Sequence, residues 1–83
     1  MPRYYFHLKR RDGVIWDGEG AEFPDLAAAR EEALQTAREL LAAAITQGGR
    51  IEVETILIAL ADGAQLFDVP LASVLPPGLQ HGD

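Results

Sequence analysis

The chain has no cysteine, only two histidines, and no apolar run near the length of a membrane span. Each absence narrows the reading. Without cysteine there are no disulfides, no thiolate metal ligands and no thiol nucleophile. His7 and His81 are too few for a histidine-built zinc site, so no metal is expected. The run Ile56–Ala61 has a strand's length, whereas a spanning helix needs about 20 apolar residues. Met1-Pro2-Arg3 leads directly into an aromatic stretch with no apolar leader, so no secretory signal is expected and the reading is cytoplasmic.

The motifs that carry chemistry are also missing. There is no P-loop, no G-x-G-x-x-G after a strand, no H-E-x-x-H and no calcium-binding EF-hand loop. Ser73 lies in Ala-Ser-Val rather than on a G-x-S-x-G elbow. Asp17-Gly18-Glu19-Gly20 superficially matches a calcium loop but lacks the ladder of further ligands such a site needs. The expectation is a protein that is not an enzyme and takes no cofactor.

Charge is unevenly placed. The formal net charge is −6, yet Arg3, Lys9, Arg10 and Arg11 stand in the first eleven residues without an acid. A net acidic chain is a poor match for nonspecific nucleic-acid binding, which depends on neutralising phosphates. The interleaving Arg3-Tyr4-Tyr5-Phe6-His7-Leu8-Lys9 is faintly like a stacking platform for bases, but Tyr4 and Phe6 read as core.

What is present is local architecture. Asp12-Gly13 and Asp62-Gly63 each lie between short apolar runs, a strong hairpin signal. Between them, from about Asp25 to Gln47, runs a segment rich in Ala, Leu, Glu and Arg, all strong helix formers. Pro24 disfavours helix before it, Asp25 is a good N-cap, and Gly48-Gly49 ends the segment. At 100° per residue, Leu26, Ala29, Ala33, Ala37, Leu40, Leu41 and Ala44 share one arc, which is the stripe of an amphipathic helix. Arg30 projects toward that arc, either snorkelling to water or paired with Asp17, Glu19 or Glu22. The fold class is α+β: hairpin, helix, hairpin (ββαββ), an antiparallel sheet with the helix on one face. Residues 1–72 form the single domain and 73–83 a flexible tail.

Registers follow from burial. A three-residue loop Arg11-Asp12-Gly13 with left-handed glycine pairs Leu8 with Trp16 and His7 with Asp17, gathering Tyr4, Phe6, Leu8, Val14 and Trp16 on one face. In the second half, Ile51 and Val53 have one parity and Ile56, Ile58 and Leu60 the other. A bulge near Glu54-Thr55, or a late strand start, reconciles them. A two-residue loop at Asp62-Gly63 sets Ile58 opposite Phe67 and Ile56 opposite Val69, and Pro70 weakens or ends the strand.

One helix covers one face of a four-stranded sheet, so the other face meets water or another molecule. Leu57, Leu66, Ile15 and Tyr5 are expected there. A chain of 83 residues builds a small core and commonly needs a supplement. With disulfides excluded, a homodimer through Leu57, Leu66 and Ile15 is the leading expectation. His7 opposite Asp17, with Tyr5 nearby, is the candidate ligand-binding group: a carboxylate beside an imidazole can orient it as a base, or simply form a cross-strand polar pair.

The opening Met1-Pro2-Arg3-Tyr4-Tyr5-Phe6-His7-Leu8, with Asp12-Gly13, Glu19-Gly20-Ala21-Glu22-Phe23-Pro24-Asp25-Leu26, Ala29-Arg30-Glu31-Glu32-Ala33 and Val69-Pro70-Leu71, resembles an uncharacterised family of short proteobacterial proteins. The likeness covers about residues 1–71 and implies a fold but no activity. Gly49–Thr55 matches that pattern least. A second likeness is to HicB-type antitoxins, carried by Phe23-Pro24-Asp25-Leu26, Glu31-Glu32-Ala33-Leu34 and Ala37-Arg38-Glu39-Leu40. In those proteins a third strand separates motifs that are nearly contiguous here, and no DNA-binding segment follows. Three functions stand side by side: a self-associating interaction or regulatory module, an antitoxin-like inhibitor of a basic toxin partner, and a small enzyme or ligand binder using His7 and Asp17.

Overall fold

The computed structural model describes residues 1–49 and 52–74. Alternating apolar and polar residues make β1 (Arg3–Arg10) the longest strand. It turns into β2 (Gly13–Ile15), and a two-residue strand β3 (Ala21–Glu22) follows. Helix α1 runs from Leu26 to Thr46. Then come β4 (Val53–Ala59), β5 (Gln65–Pro70) and a 3-10 turn over Leu71–Val74. The sheet is antiparallel in the order β2-β1-β4-β5, with β3 on the same edge of β1 as β2. This is the expected ββαββ plan with one addition. Residues 17–22, expected as turns, contain β3, which extends the β2 side of the sheet without adding a layer. The strand phase expected at Ile51 and the tail from Leu75 to Asp83 lie outside the described residues.

The helix starts where its cap chemistry dictates. Asp25 Oδ1 accepts the Ala28 N–H at 2.9 Å, satisfying one of the free donors of the first turn. Its inward stripe is nearly all alanine. Ala29, Ala33 and Ala37 are 0% exposed and Leu41 is buried one turn further on. Small side chains bring the helix axis close to the sheet, where it meets Tyr4, Ile56, Ile58, Val69 and Leu71, with Phe6, Leu8, Phe23, Leu26 and Leu40 around them. Phe23 stacks on Phe6 at 5.7 Å and lies 6.4 Å from Tyr4, closing the helix entrance. Arg30 snorkels: it is exposed, and its guanidinium sits 5.2 Å from the centre of the Phe67 ring instead of on Asp17, Glu19 or Glu22.

The expected bulge in the second half is present. Lys9 pairs with Thr55 but Arg10 pairs with Val53, leaving Glu54 as the extra residue. Val53 thereby turns inward and packs against the core. Ile56 faces Val69 and Ile58 faces Phe67, as the burial pattern requires, and β5 ends at Pro70. The tip differs from expectation. Ala59 pairs with Gln65 and Leu60 N–H donates to the Ala64 carbonyl, so the loop is Ala61-Asp62-Gly63 and Leu66 is an extra residue. Gly63 takes φ +90°, which permits the three-residue loop.

The first hairpin differs the other way. Leu8 pairs with Ile15, Lys9 with Val14 and Arg10 with Gly13, so the turn is Arg11-Asp12 and the register is one residue from that expected. A slip of one residue exchanges the faces of a strand. Ile15, expected on the uncovered face, stands beside Leu8 on the helix side at 47% exposure. Val14 and Trp16, expected in the core, lie on the face the helix leaves uncovered.

Because Ala33 is fully buried against the sheet, Ala33→Leu should overpack the helix–sheet contact. The expected cost is about 1–3 kcal/mol, read as a fall in the thermal midpoint on the order of 4–8 °C per kcal/mol. Calorimetry or circular dichroism melting checks it.

Candidate functional site

The uncovered face is organised around residues 16–20, the stretch between β2 and β3. The pairing before it (Leu8 with Ile15) and after it (Tyr4 with Ala21) shows that these five residues span only Tyr5, Phe6 and His7 of β1. The surplus cannot pair as a regular strand, and Asp17 substitutes for the lost ladder. Its Oδ2 accepts the Phe6 N–H at 3.1 Å, and its Oδ1 accepts Glu19 N–H and Gly20 N–H, each at 3.1 Å. In return, Asp17 N–H donates to His7 Nδ1 at 3.0 Å. Arg3 adds a bond from Nη1 to the Glu19 carbonyl at 2.9 Å and an ion pair with Glu22 at 3.7 Å.

Two chemical consequences follow. Partial burial raises the Asp17 carboxyl pKa. The donors on Gly20, Phe6 and Glu19 together outweigh it, and with a smaller effect from His7 they hold it below the ordinary value of 3.8. The second concerns His7. A ring nitrogen that accepts an N–H carries no proton, so the neutral ring has its proton on Nε2. The expected His7–Asp17 group therefore exists, but through the backbone of Asp17 rather than as a carboxylate–imidazole pair.

Around it lies an aromatic row that the sequence reading did not assemble. Trp16 meets the His7 ring edge-on at 4.7 Å, and Tyr5, two residues back along β1, lies nearly parallel to it at 6.4 Å. Tyr5 and His7 are half-buried, whereas Trp16 is 70% exposed. Leu57, directly opposite His7 on β4, continues the row, and Asp68 of β5 lies beyond it. Of the residues expected on an interface, Leu57 belongs to this face, Leu66 sits at the β5 bulge and Ile15 is on the other side. Trp16 was missed because burial was used to set the register. The signal that could have found it was Asp17-Gly18-Glu19-Gly20, whose aspartate is placed to bond forward to backbone N–H groups in an Asx-type turn.

A cleft of about 170 Å³ lies elsewhere, lined by Leu40, Ala43, Ala44, Gln47, Glu52, Val53 and Leu71. It is on the helix side and holds none of the His7–Asp17 group. Among the described residues, no three His, Cys, Asp or Glu side chains are grouped to hold a metal ion, and no helix is long and apolar enough to cross a membrane.

The match to known families falls on this whole unit. The chain belongs to the family described as a domain of unknown function, DUF6894, matched over residues 3–72. The matched span contains the Asp17 clamp, the aromatic row and both hairpins. No curated protein and no solved structure matches the chain. The HicB-type likeness rests on its short motifs alone.

Gly20 is the tightest point of the site. Its φ is +68°, and a Cβ there would lie 2.9 Å from the Tyr4 carbonyl oxygen and 3.0 Å from the Tyr5 ring. Gly20→Ala should cost about 2 kcal/mol or more through strain plus backbone collision, measurable by denaturant melting. The Asp17 carboxyl titrates lower when folded than when unfolded. Its contribution to stability is therefore present above the unfolded value near 3.8 and lost as pH falls through the folded value. Asp17→Asn should flatten the acid limb of stability against pH, and Asp17→Ala should also destabilise the fold at neutral pH.

Proposed function

We propose that this domain is a non-enzymatic interaction module that self-associates in the cytoplasm through the uncovered face of its sheet, its partner being a second copy. The observation that carries the reading is Trp16, held 70% exposed in a row with His7, Tyr5 and Leu57. Tryptophan and tyrosine are enriched at interface anchors, and charge is depleted at interface centres. The face fits both traits. Its charged positions are Asp17, whose carboxylate is taken up by three backbone N–H groups, Arg3 and Glu22, which pair with each other, and Lys9 and Asp68, one of each sign. The acids Glu31, Glu32 and Glu39 are exposed on the helix instead.

Size supports the same partner. Four strands about 4.8 Å apart and some six residues long give a plan area of roughly 400 Å². With the relief of Trp16 and Tyr5 added, two copies bury roughly 800 Å² or more between them, the size of a weak, reversible interface. A small core is the complementary need: Ile56, Ile58 and Val69 are the largest side chains fully buried within one copy.

A non-enzymatic role is supported by how the polar groups are committed. The Asp17 carboxylate holds three backbone N–H groups and His7 Nδ1 holds a fourth. Both are committed to backbone N–H groups instead of being offered to a substrate.

Light scattering should find a dimer at concentrations well above micromolar, and a monomer there overturns the reading. Leu57→Asp or Trp16→Ser should weaken assembly by about 2 kcal/mol or more, roughly thirtyfold, with the far-ultraviolet dichroism of the fold retained.

A further inference from the structure

We infer that self-association through this face is gated by protonation of His7, so that acidification separates the copies. The inference rests on the self-association proposed above and concerns its regulation. His7 sits mid-face, opposite Leu57 and beside both Trp16 and Tyr5. Its Nδ1 accepts the Asp17 N–H at 3.0 Å. An imidazolium carries N–H groups on both nitrogens, so protonation sets two donors head to head. The bond breaks or the ring turns, and either movement disturbs Trp16, which precedes Asp17 and touches the ring.

The groups facing His7 decide the direction. On β1 its same-face neighbours are Tyr5 and Lys9, and the Lys9 charge repels an imidazolium. From residues 16–20 come the Trp16 ring and the Asp17 carboxylate, the latter already holding three N–H groups. On β4 the facing residues Leu57, Thr55 and Ala59 are uncharged, and Asp68 lies one strand further away. Attraction from Asp17 and Trp16 operates in a single copy as well as in a pair, so it cancels from the association equilibrium. What remains is the cost of removing a charge from water at the centre of a closed face, incurred once per copy. Protons therefore bind the separated copies better than the assembly, and association weakens as pH falls. Histidine is the side chain that ordinarily changes charge between about pH 5 and 8. Asp17, held below 3.8, stays ionised throughout that window and does not confound it.

The test is sedimentation or light scattering of the full chain at pH 8 and pH 5.5, with Trp16, the sole tryptophan, as a fluorescent reporter. Wild type should assemble at pH 8 and weaken on acidification, approaching ~100-fold per pH unit when one proton per copy is linked. His7→Gln retains an oxygen that can accept the Asp17 N–H but cannot titrate, and it should assemble equally at both values. In wild type diluted below assembly, Trp16 emission should fall as the neighbouring ring becomes charged. Equal wild-type assembly at both pH values overturns the gating and leaves self-association standing. Parallel loss in His7→Gln overturns it by assigning the effect to another group. A monomer at pH 8 overturns the self-association itself. Should His7→Gln fail to fold, wild type at assembling concentration decides: there, an emission change that does not coincide with dissociation overturns the gating.

Discussion

Three backbone N–H groups converge on the carboxylate of Asp17, and the arrangement of the β2 edge follows from that convergence. A strand that must cross five residues while its neighbour crosses three has to buckle, and buckling strands backbone donors. Phe6, Glu19 and Gly20 all find the same side chain. A charged acceptor for several donors makes stronger bonds than neutral pairs do, and it outweighs the burial that Trp16 would have gained one register away. The exposed tryptophan is thus a consequence of polar satisfaction, and Gly20, pressed against the Tyr4 carbonyl, is what lets the chain come close enough.

The helix imposes the other half of the constraint. Ala29, Ala33 and Ala37 let it lie flat against Ile56, Ile58 and Val69, which makes a thin, tight layer on one side of the sheet. A single helix has nothing left to cover the other side. The two faces consequently differ in kind: one is apolar and packed against the helix, the other carries Trp16, Tyr5 and His7, is nearly balanced in charge and is open. His7 belongs to the second, yet its ring is anchored by the loop that also carries Trp16. Structure and surface are coupled at that one nitrogen.

Much of this was legible from local chemistry. Asp25 as N-cap, the alanine stripe and the parity change that called for a bulge near Glu54-Thr55 or a late strand start each follow from rules that act within a few residues. So does the pairing of Ile56 with Val69, because both strands have one unmistakably apolar parity. The first hairpin resisted for a definite reason. Val14, Ile15 and Trp16 are all apolar, so β2 has no polar parity to declare its faces, and a burial argument chooses the larger side chain by default. The same ambiguity misplaced Ile15. The candidate pair His7 and Asp17 was found, but its bond runs through the Asp17 backbone, which residue types alone do not indicate.

The amino-acid order by itself determined the ββαββ plan, the helix limits, the apolar stripe and the absence of thiol chemistry, because each depends on periodicity, capping or composition. Tertiary structure alone decided which face Trp16 occupies, how His7 is held and where the two hairpin loops exchange their expected lengths. Those outcomes turn on competition between distant partners. A carboxylate must reach across to β1 before its donors can outweigh buried area, and no window of neighbouring residues contains both sides of that comparison.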